Sequence, residues 1–372
     1  MIPRYDVVIV GAGPGGAMAA CVLGQAGCRT LVLERQTLPR HKPCGGAIPS
    51  PVFDRLPAAC AEAVEREVRR VRFLLPQRGE AAHDLPGRPI AMVMRDRFDS
   101  LLLAQAPATV HDGEGAVGLD DGPHGAVVRT TRGERYRADY VIGADGASSL
   151  VARQVGLRAG HVVATALEAE VPADSASLAR HADTALFYFG IVADGYLWVF
   201  PKRDHLSLGV GCLRGGGRGL RRRLYEAAAR LGLPAQAVRP RGHPLPVYRR
   251  PERLQRGRVL LVGDAAGLVD PLSGEGIRHA LTSARLAAQA ILAGDLAGYS
   301  RRVYQEIGRD LGAALWLARL FYGCTTLSFR LGARDRLTVI ALLRVLAGEM
   351  SYRGLLARVP GYWLRRLFSR HE

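Results

Sequence analysis

Lysine is almost missing from this chain of 372 residues. Lys42 and Lys202 are the only two, so 51 basic residues less these two leaves 49 arginines. Acidic residues number 34, and the formal net charge is +17. A polybasic tail would mix both basic types in one block. Here arginine is spread along the chain, as a GC-rich genome would spread it. The charge permits a polyanionic partner, but does not choose among nucleic acid, an anionic membrane and a phosphorylated substrate. No zinc-finger, helix-turn-helix or RNP-like pattern accompanies it, so nucleic acid is not expected. Cysteine is also sparse. The six (21, 28, 44, 60, 212 and 324) form no CxxC and no His pairing at ligand spacing, so no metal is expected. Long apolar runs are lacking too: those near 311–322 and 337–347 are broken by Arg319 and Arg344 and are too short to span a bilayer. The opening Met1-Ile2-Pro3-Arg4 has neither the n-region nor the h-region of a signal peptide, so a reduced, cytoplasmic protein is expected. There is no internal repeat, and low complexity is confined to the Gly/Arg stretch 214–223.

What is present is a globular composition, 48% hydrophobic and 23% charged, which excludes a disordered chain. The length suits two or three domains in one body. Tyr5–Val10 reads as a buried strand, Gly16–Ala26 as a small-residue helix and Thr30–Glu34 as a second strand. Residues 55–70 alternate at helical spacing. Val71–Leu75 and Ile90–Met94 are strand-like, Phe98–Gln105 helical, and Val127–Thr131 and Tyr140–Gly143 strands. Met92 and Met94 suit either an irregular apolar wall or an ordinary core. From 161 to 213 the pattern becomes a series of β runs (161–171, 185–190, 196–200, 205–213) without intervening helices, as in antiparallel sheet. Arg218–Leu231 is helical, Val259–Val262 a buried strand, and about 276–293 a long helix. Everything after Tyr299 reads as helix, with breaks near Gly332 and Pro360.

Gly11-Ala12-Gly13-Pro14-Gly15-Gly16 fits GxGxxG between a strand and a helix. Gly11 allows the tight turn, Gly13 lets backbone approach a pyrophosphate, and Gly16 lets helix and sheet close up. The helix N-terminus offers amide donors to phosphates. Glu34 can accept hydrogen bonds from ribose hydroxyls, whereas the adjacent Arg35 would favour a 2′-phosphate. The expected class is therefore α/β, α+β overall. A Rossmann-like dinucleotide domain (1–70, 95–160, 252–298) is interrupted by a β-rich substrate domain (71–94, 161–251) and followed by helices (299–372).

Two further elements favour FAD over NAD. Asp264, in Val262-Gly263-Asp264-Ala265, ends a buried strand and could bond a ribityl hydroxyl. Gly274, Gly276 and Ile277 form a glycine turn opening a helix, whose amides could face the flavin. A third element, Gly143-Ala144-Asp145-Gly146, reads equally as a turn before a helix cap. Together these resemble the aromatic-hydroxylase-like FAD oxidoreductases. That resemblance implies that Arg97 also contacts the cofactor. It is imperfect after Asp145-Gly146, where the arginine is Arg153, four residues beyond Ser149.

Pro43-Cys44-Gly45-Gly46 and Tyr196-Leu197-Trp198-Val199-Phe200-Pro201, with Gly209-Val210-Gly211 beyond, resemble the geranylgeranyl reductase family from Tyr5 to about Ala293. The resemblance implies an FAD enzyme that reduces C=C bonds of long isoprenoid chains. Period-2 alternation puts Tyr196, Trp198 and Phe200 on one strand face, where they suit a hydrocarbon chain or an ordinary core. Cys44, between a proline and two glycines, is a candidate for tuning flavin reduction or the proton step, or else an inert small hydrophobe. Tyr188 and Tyr196 are rival proton donors, and Gly209 and Gly211 are expected beside the substrate. Only one GxGxxG exists, so electrons are expected from transient NADPH or a reduced ferredoxin. The basic, aromatic-rich 352–372 suits a helix lying on an anionic membrane surface or a cap over the substrate channel. A flavin monooxygenase or halogenase on the same scaffold is the alternative. Halogenation needs a positioned lysine, and both lysines lie inside the reductase-like motifs.

Overall fold

In the computed structural model, the described residues are 2–85, 87–122, 125–157, 164–213, 217–333, 335–346 and 349–357. The first strand, Arg4–Val10, is apolar and buried from Val7 onward and pairs in parallel with Thr30–Leu33 on one side and Arg135–Gly143 on the other. Thr109–His111 and Val259–Leu261 extend the parallel order on the two flanks. Strands buried on both faces carry continuous Val/Ile/Leu runs rather than alternation, which is the pattern seen here. Helices Pro14–Gln25 and Ile277–Leu292 pack side by side against this sheet, and Gly15 meets Ala280 where they touch.

A second sheet of seven strands has the order Arg241–Leu245, Ala164–Pro172, His205–Cys212, Gly195–Pro201, Thr184–Phe189, Arg70–Leu75, Gly79–Asp84. It is antiparallel except where Thr184–Phe189 meets Arg70–Leu75. One face packs on helix Leu220–Arg230 through Leu197, Val199, Leu208 and Val210. The other carries Phe73, Phe187, Phe189, Tyr196, Trp198 and Phe200, and is covered by the C-terminal helices Arg309–Gly323 and Arg336–Leu346 through Phe321, Tyr322 and Leu343. Phe189 and Phe321 meet edge to face at 5.1 Å.

Several expectations are corrected. Residues 55–70 are not a helix: they form a 3-10 turn at Ala58–Ala63 followed by strand Val64–Val68. Pro57 breaks the pattern, and the strand finds a partner in Ile90–Val93, forming a three-stranded sheet with Ala47–Pro49. Met92 belongs to that small sheet, its side chain fully buried. A short helix, Ser175–His181, interrupts the β runs; Asp174 caps it by accepting the Ser177 N–H at 2.7 Å. Strands Gly79–Asp84 and Ala116–Gly122 were not read from the sequence, because both are half-exposed and carry little apolar signal. Residues 161–163, 214–216 and 358–372, including Pro360 and most of the basic aromatic tail, lie outside the described residues.

Candidate active site

A large cavity of about 1470 Å³ runs from the glycine loop, along the aromatic sheet face, to the C-terminal helices. Ligand pockets ordinarily span about 300–1,000 Å³, so this one has room for a cofactor and a long second ligand together.

At the nucleotide end, backbone sets the shape. Gly11 has φ of +104°, and a Cβ on it would meet the Ala144 carbonyl; a Cβ on Gly16 would fall on the Gly11 carbonyl oxygen. Gly13, Pro14 and Gly15 line the cavity. Glu34 is buried, and its carboxylate accepts the Ala12 and Gln36 N–H groups at 3.0 and 3.1 Å. Arg35 is exposed; the arginine beside the loop is Arg40. Arg40 lies 3.4 Å from Glu34 and 3.1 Å from Asp99, and its Nη1 is buried with no hydrogen-bond partner among the described residues. An orphaned guanidinium N–H close to Gly13 is the donor a diphosphate would use. Arg97 is exposed as well. Helix Arg95–Ala104 turns Arg95, Phe98, Asp99 and Leu102 inward. Arg95 therefore lines the cavity, held by two 2.8 Å bonds to Asp99.

Asp145 accepts the Ser149 hydroxyl at 2.5 Å and the Val151 N–H at 3.1 Å, so it braces the N-terminus of helix Leu150–Gln154, which Ser149 caps. Gly146 lines the cavity, while Arg153 folds back onto the Ser148 carbonyl. Asp264 lies 3.8 Å from both Lys42 Nζ and His243 Nε2. Burial opposes its charge, but Lys42 and His243 overcome it and hold the carboxyl at about 2. Gly274 (φ +74°), Gly276 and Ile277 line the cavity at the start of helix Ile277–Leu292. The glycine cradle, the orphaned Arg40 donor, the buried acids and this helix N-terminus fit FAD. When bound there, FAD supplies the two-electron carrier.

At the far end, side chains set the shape. Tyr196, Trp198 and Phe200 share the cavity face, and Phe187 and Phe189 join them from the neighbouring strand. Tyr188 is on the opposite face, packed among the residues beneath helix Leu220–Arg230; period-2 alternation removes it from the cavity. Gly209 does not border the cavity. A Cβ there would land in the Trp198 indole ring, so Gly209 is the seat of that ring, and Gly211 alone of the pair lines the cavity. The Tyr196 hydroxyl donates to the Ser273 carbonyl, tying the aromatic face to the turn that holds Gly274 and Gly276.

The two motifs meet directly. A Cβ on Gly45 would come within 2.9 Å of Phe200 and 3.0 Å of Trp198 Nε1. Gly46 has φ of +67°, and a Cβ there would meet the Val93 carbonyl and Lys202 Nζ. Lys202 is fully buried and donates to the carbonyls of Gly45 at 2.8 Å and Val93 at 2.7 Å. Burial pulls its ammonium down to about 8, against the nearby Cys44 and Glu168. Cys44 is half-buried at the cavity wall; its sulfur accepts the Gly46 N–H at 3.3 Å and neighbours Arg95.

Four residues escaped the sequence reading: Arg40, Arg95, Lys202 and Glu168. Arg95 could have been found from the inward register it shares with Phe98 and Asp99. Lys202 directly follows the aromatic motif in a chain with two lysines. Glu168 is one of two charges, with Glu170, in an otherwise largely apolar strand. No metal spacing was visible in the sequence, yet His41, Glu168 and Glu170 bring ligand-type atoms within 4.8 Å of one another.

Comparison with known proteins places these features in a family. An FAD binding domain family matches residues 4–207. Geranylgeranyl diphosphate reductase of Synechocystis sp. is 32% identical over 77% of this chain and 75% of its own. The chloroplastic geranylgeranyl diphosphate reductase of Oryza sativa is 33% identical over 79% and 68%. A geranylgeranyl bacteriochlorophyll reductase-like structure from Thermoplasma acidophilum superposes with a TM-score of 0.80 at 24% identity, covering 97% of this chain and all of that one. The chain is an FAD-dependent oxidoreductase and belongs to the geranylgeranyl reductase family.

Proposed function

We propose that the protein saturates C=C bonds in a long isoprenoid chain carried by a lipid, a quinone, a pigment or a diphosphate. The observation that carries this reading is the continuous apolar cavity joining the flavin turn to the C-terminal helices, with the aromatic strand and Cys44-Gly45-Gly46 as its wall. Tyr196, Trp198 and Phe200 stabilise positive charge developing at a tertiary alkene carbon, hold the chain extended and keep water out. Tyr196 holds Ser273 and with it the turn containing Gly274 and Gly276, whose amides would face the flavin. Cys44 and Arg95 close the wall on the other side.

The chain enters from a membrane surface. Leu320, Leu327 and Leu337 line the outer cavity, yet are 56%, 56% and 61% exposed. Arg319, Arg330 and Arg336 flank them, a combination that suits an anionic lipid interface. Part of the expected interfacial tail behaves otherwise: Tyr352 is buried and donates to Asp270 at 2.8 Å. Electrons come from NADPH or a reduced ferredoxin, and the net positive charge suits a 2′-phosphate and an acidic redox protein alike. The halogenase alternative is not favoured, because Lys202 is committed to two backbone carbonyls and Lys42 faces the Asp264 carboxylate. The test is anaerobic turnover of a panel of prenyl substrates with dithionite, read by product mass. Gains of two hydrogens per double bond are expected. Failure of every panel member, with activity appearing only when oxygen is admitted, would overturn the reading.

A further inference from the structure

We propose that Glu168 is the proton donor to the alkene, recharged from solvent through the His41–Glu170 pair. This rests on the function proposed above.

Strand Ala164–Pro172 places Ala166 and Glu168 on the cavity face. Glu168 is 3% exposed, and its Oε1 accepts the Ser207 hydroxyl at 3.1 Å. The same Ser207 oxygen accepts the Trp198 indole N–H at 3.4 Å. The carboxyl therefore stands one hydroxyl behind the aromatic wall and lines the same cavity. Three of the rival donors there are already committed. Tyr196 donates to Ser273, Lys202 to Gly45 and Val93, and Arg95 to Asp99. Burial, reinforced by the charge of Glu170, pushes the Glu168 carboxyl up to about 8, against Ser207, Lys202 and Arg241. The acid thus keeps its proton at neutral pH, as a proton donor in an apolar pocket must.

Behind Glu168 lies a route to water. His41 Nε2 and Glu170 Oε1 are 3.0 Å apart, with side chains 28% and 31% exposed. Their atoms lie within 4.8 Å of each other and of the Glu168 carboxylate. In the reaction the O–H bond of Glu168 breaks and a C–H bond forms at one alkene carbon from the π electron pair. The other carbon receives one hydrogen and two electrons as hydride from the reduced flavin, which becomes oxidised. Glu168, left as a carboxylate, is reprotonated through the His41 ring, which accepts a proton from solvent as it passes one on, with Glu170 holding the ring in place.

The experiment mixes dithionite-reduced, FAD-loaded protein anaerobically with geranylgeranyl diphosphate in detergent and follows flavin reoxidation. Glu168→Gln should slow reoxidation by about 100-fold or more, while FAD content and the dithionite reduction rate hold. Glu168→Asp should recover part of the rate. His41→Gln should spare the first turnover and slow later ones. An independent readout is the infrared spectrum of the oxidised holoprotein. A protonated-carboxyl band should be present at pH 7, fade as pH passes about 8, and be absent in Glu168→Gln. Should Glu168→Gln not hold FAD, Ser207→Ala replaces it, and that band must shift. Reoxidation of Glu168→Gln within threefold of wild type, an equal loss in Glu168→Asp, or no such band overturns the proposal. A wild type that no prenyl probe reoxidises overturns the function reading instead, and the infrared band then still reports whether Glu168 holds its proton.

Discussion

The two ends of the cavity are made of different materials. At the nucleotide end the surface is largely backbone: Gly13, Gly15, Gly274 and Gly276 line the cavity, and behind them Gly11 and Gly16 have no room for a Cβ against neighbouring carbonyls. At the substrate end it is side chain: a wall of aromatics on one sheet face, opposed by leucines and phenylalanine from the C-terminal helices. Recognition of a diphosphate needs fixed amide donors, and recognition of a featureless hydrocarbon needs area. The first material tolerates no substitution and the second tolerates many, so the comparison can be broken one end at a time.

The largest expected effect is at the backbone end. Gly16→Val places a branched side chain on the Gly11 carbonyl. The loop and the helix that follows it cannot both keep their places, so purified protein should carry no FAD, as read by its visible spectrum, or should fail to fold. Retained stoichiometric FAD would show that the loop is less tightly set than its contacts require.

Next comes the seam where the two ends join. Lys202→Met keeps most of the side-chain volume but strips the donors from the buried Gly45 and Val93 carbonyls. Each unsatisfied buried carbonyl costs about 1–3 kcal/mol, partly offset by removal of a buried charge, for a net loss of about 2–4 kcal/mol. Urea unfolding at pH 7 measures it. A change below 0.5 kcal/mol by the same rule of thumb would mean that water replaces the ammonium.

This seam also marks where the sequence stops being legible. The glycine loop, the parallel sheet and the aromatic strand could be read from residue order. A glycine required by geometry and an aromatic on a period-2 face each leave a local signature. Arg40, Arg95, Lys202 and Glu168 owe their roles to partners in other elements. Glu168 acquires its environment from Ser207 on the next strand, and Lys202 from Gly45 in a distant loop. Tyr188 and Arg97 were misplaced for the converse reason: each sits in a functional stretch, but Tyr188 is on the other face of its strand and Arg97 is on the outward side of helix Arg95–Ala104. The helical reading of 55–70 failed because its alternation was satisfied by pairing with Ile90–Val93.

A smaller effect follows from the titration of the substrate end. The Glu168 carboxyl is raised from an ordinary 4.5 to about 8, so between those values the folded protein holds a proton that the unfolded chain releases. Stability therefore falls as pH rises through this window, by up to a few kcal/mol. Lys202, lowered from 10.5 to about 8, acts with the opposite slope and only above pH 8. Glu168→Gln should flatten the decline between pH 5 and pH 8 in thermal melts. Parallel curves for variant and wild type would mean that the carboxyl is ionised in the fold.

The smallest expected change is at the cavity mouth, and it separates an exposed leucine with a purpose from one without. Leu337 is 61% exposed, and Val117, on the outer strand of the nucleotide-side sheet, is 51% exposed. Neither contributes much to the folded state, so Leu337→Ser and Val117→Ser should each change stability by less than about 0.5 kcal/mol. Only Leu337 borders the cavity. If the mouth rests on lipid, burying the exposed part of that side chain adds about 1 kcal/mol to binding. Leu337→Ser should then weaken partition onto vesicles containing anionic lipid by about fivefold, with Val117→Ser unchanged. Equal partition of both variants and the wild type would remove the lipid surface from the reading, and would leave these leucines as the rim of a pocket that takes its chain from solution.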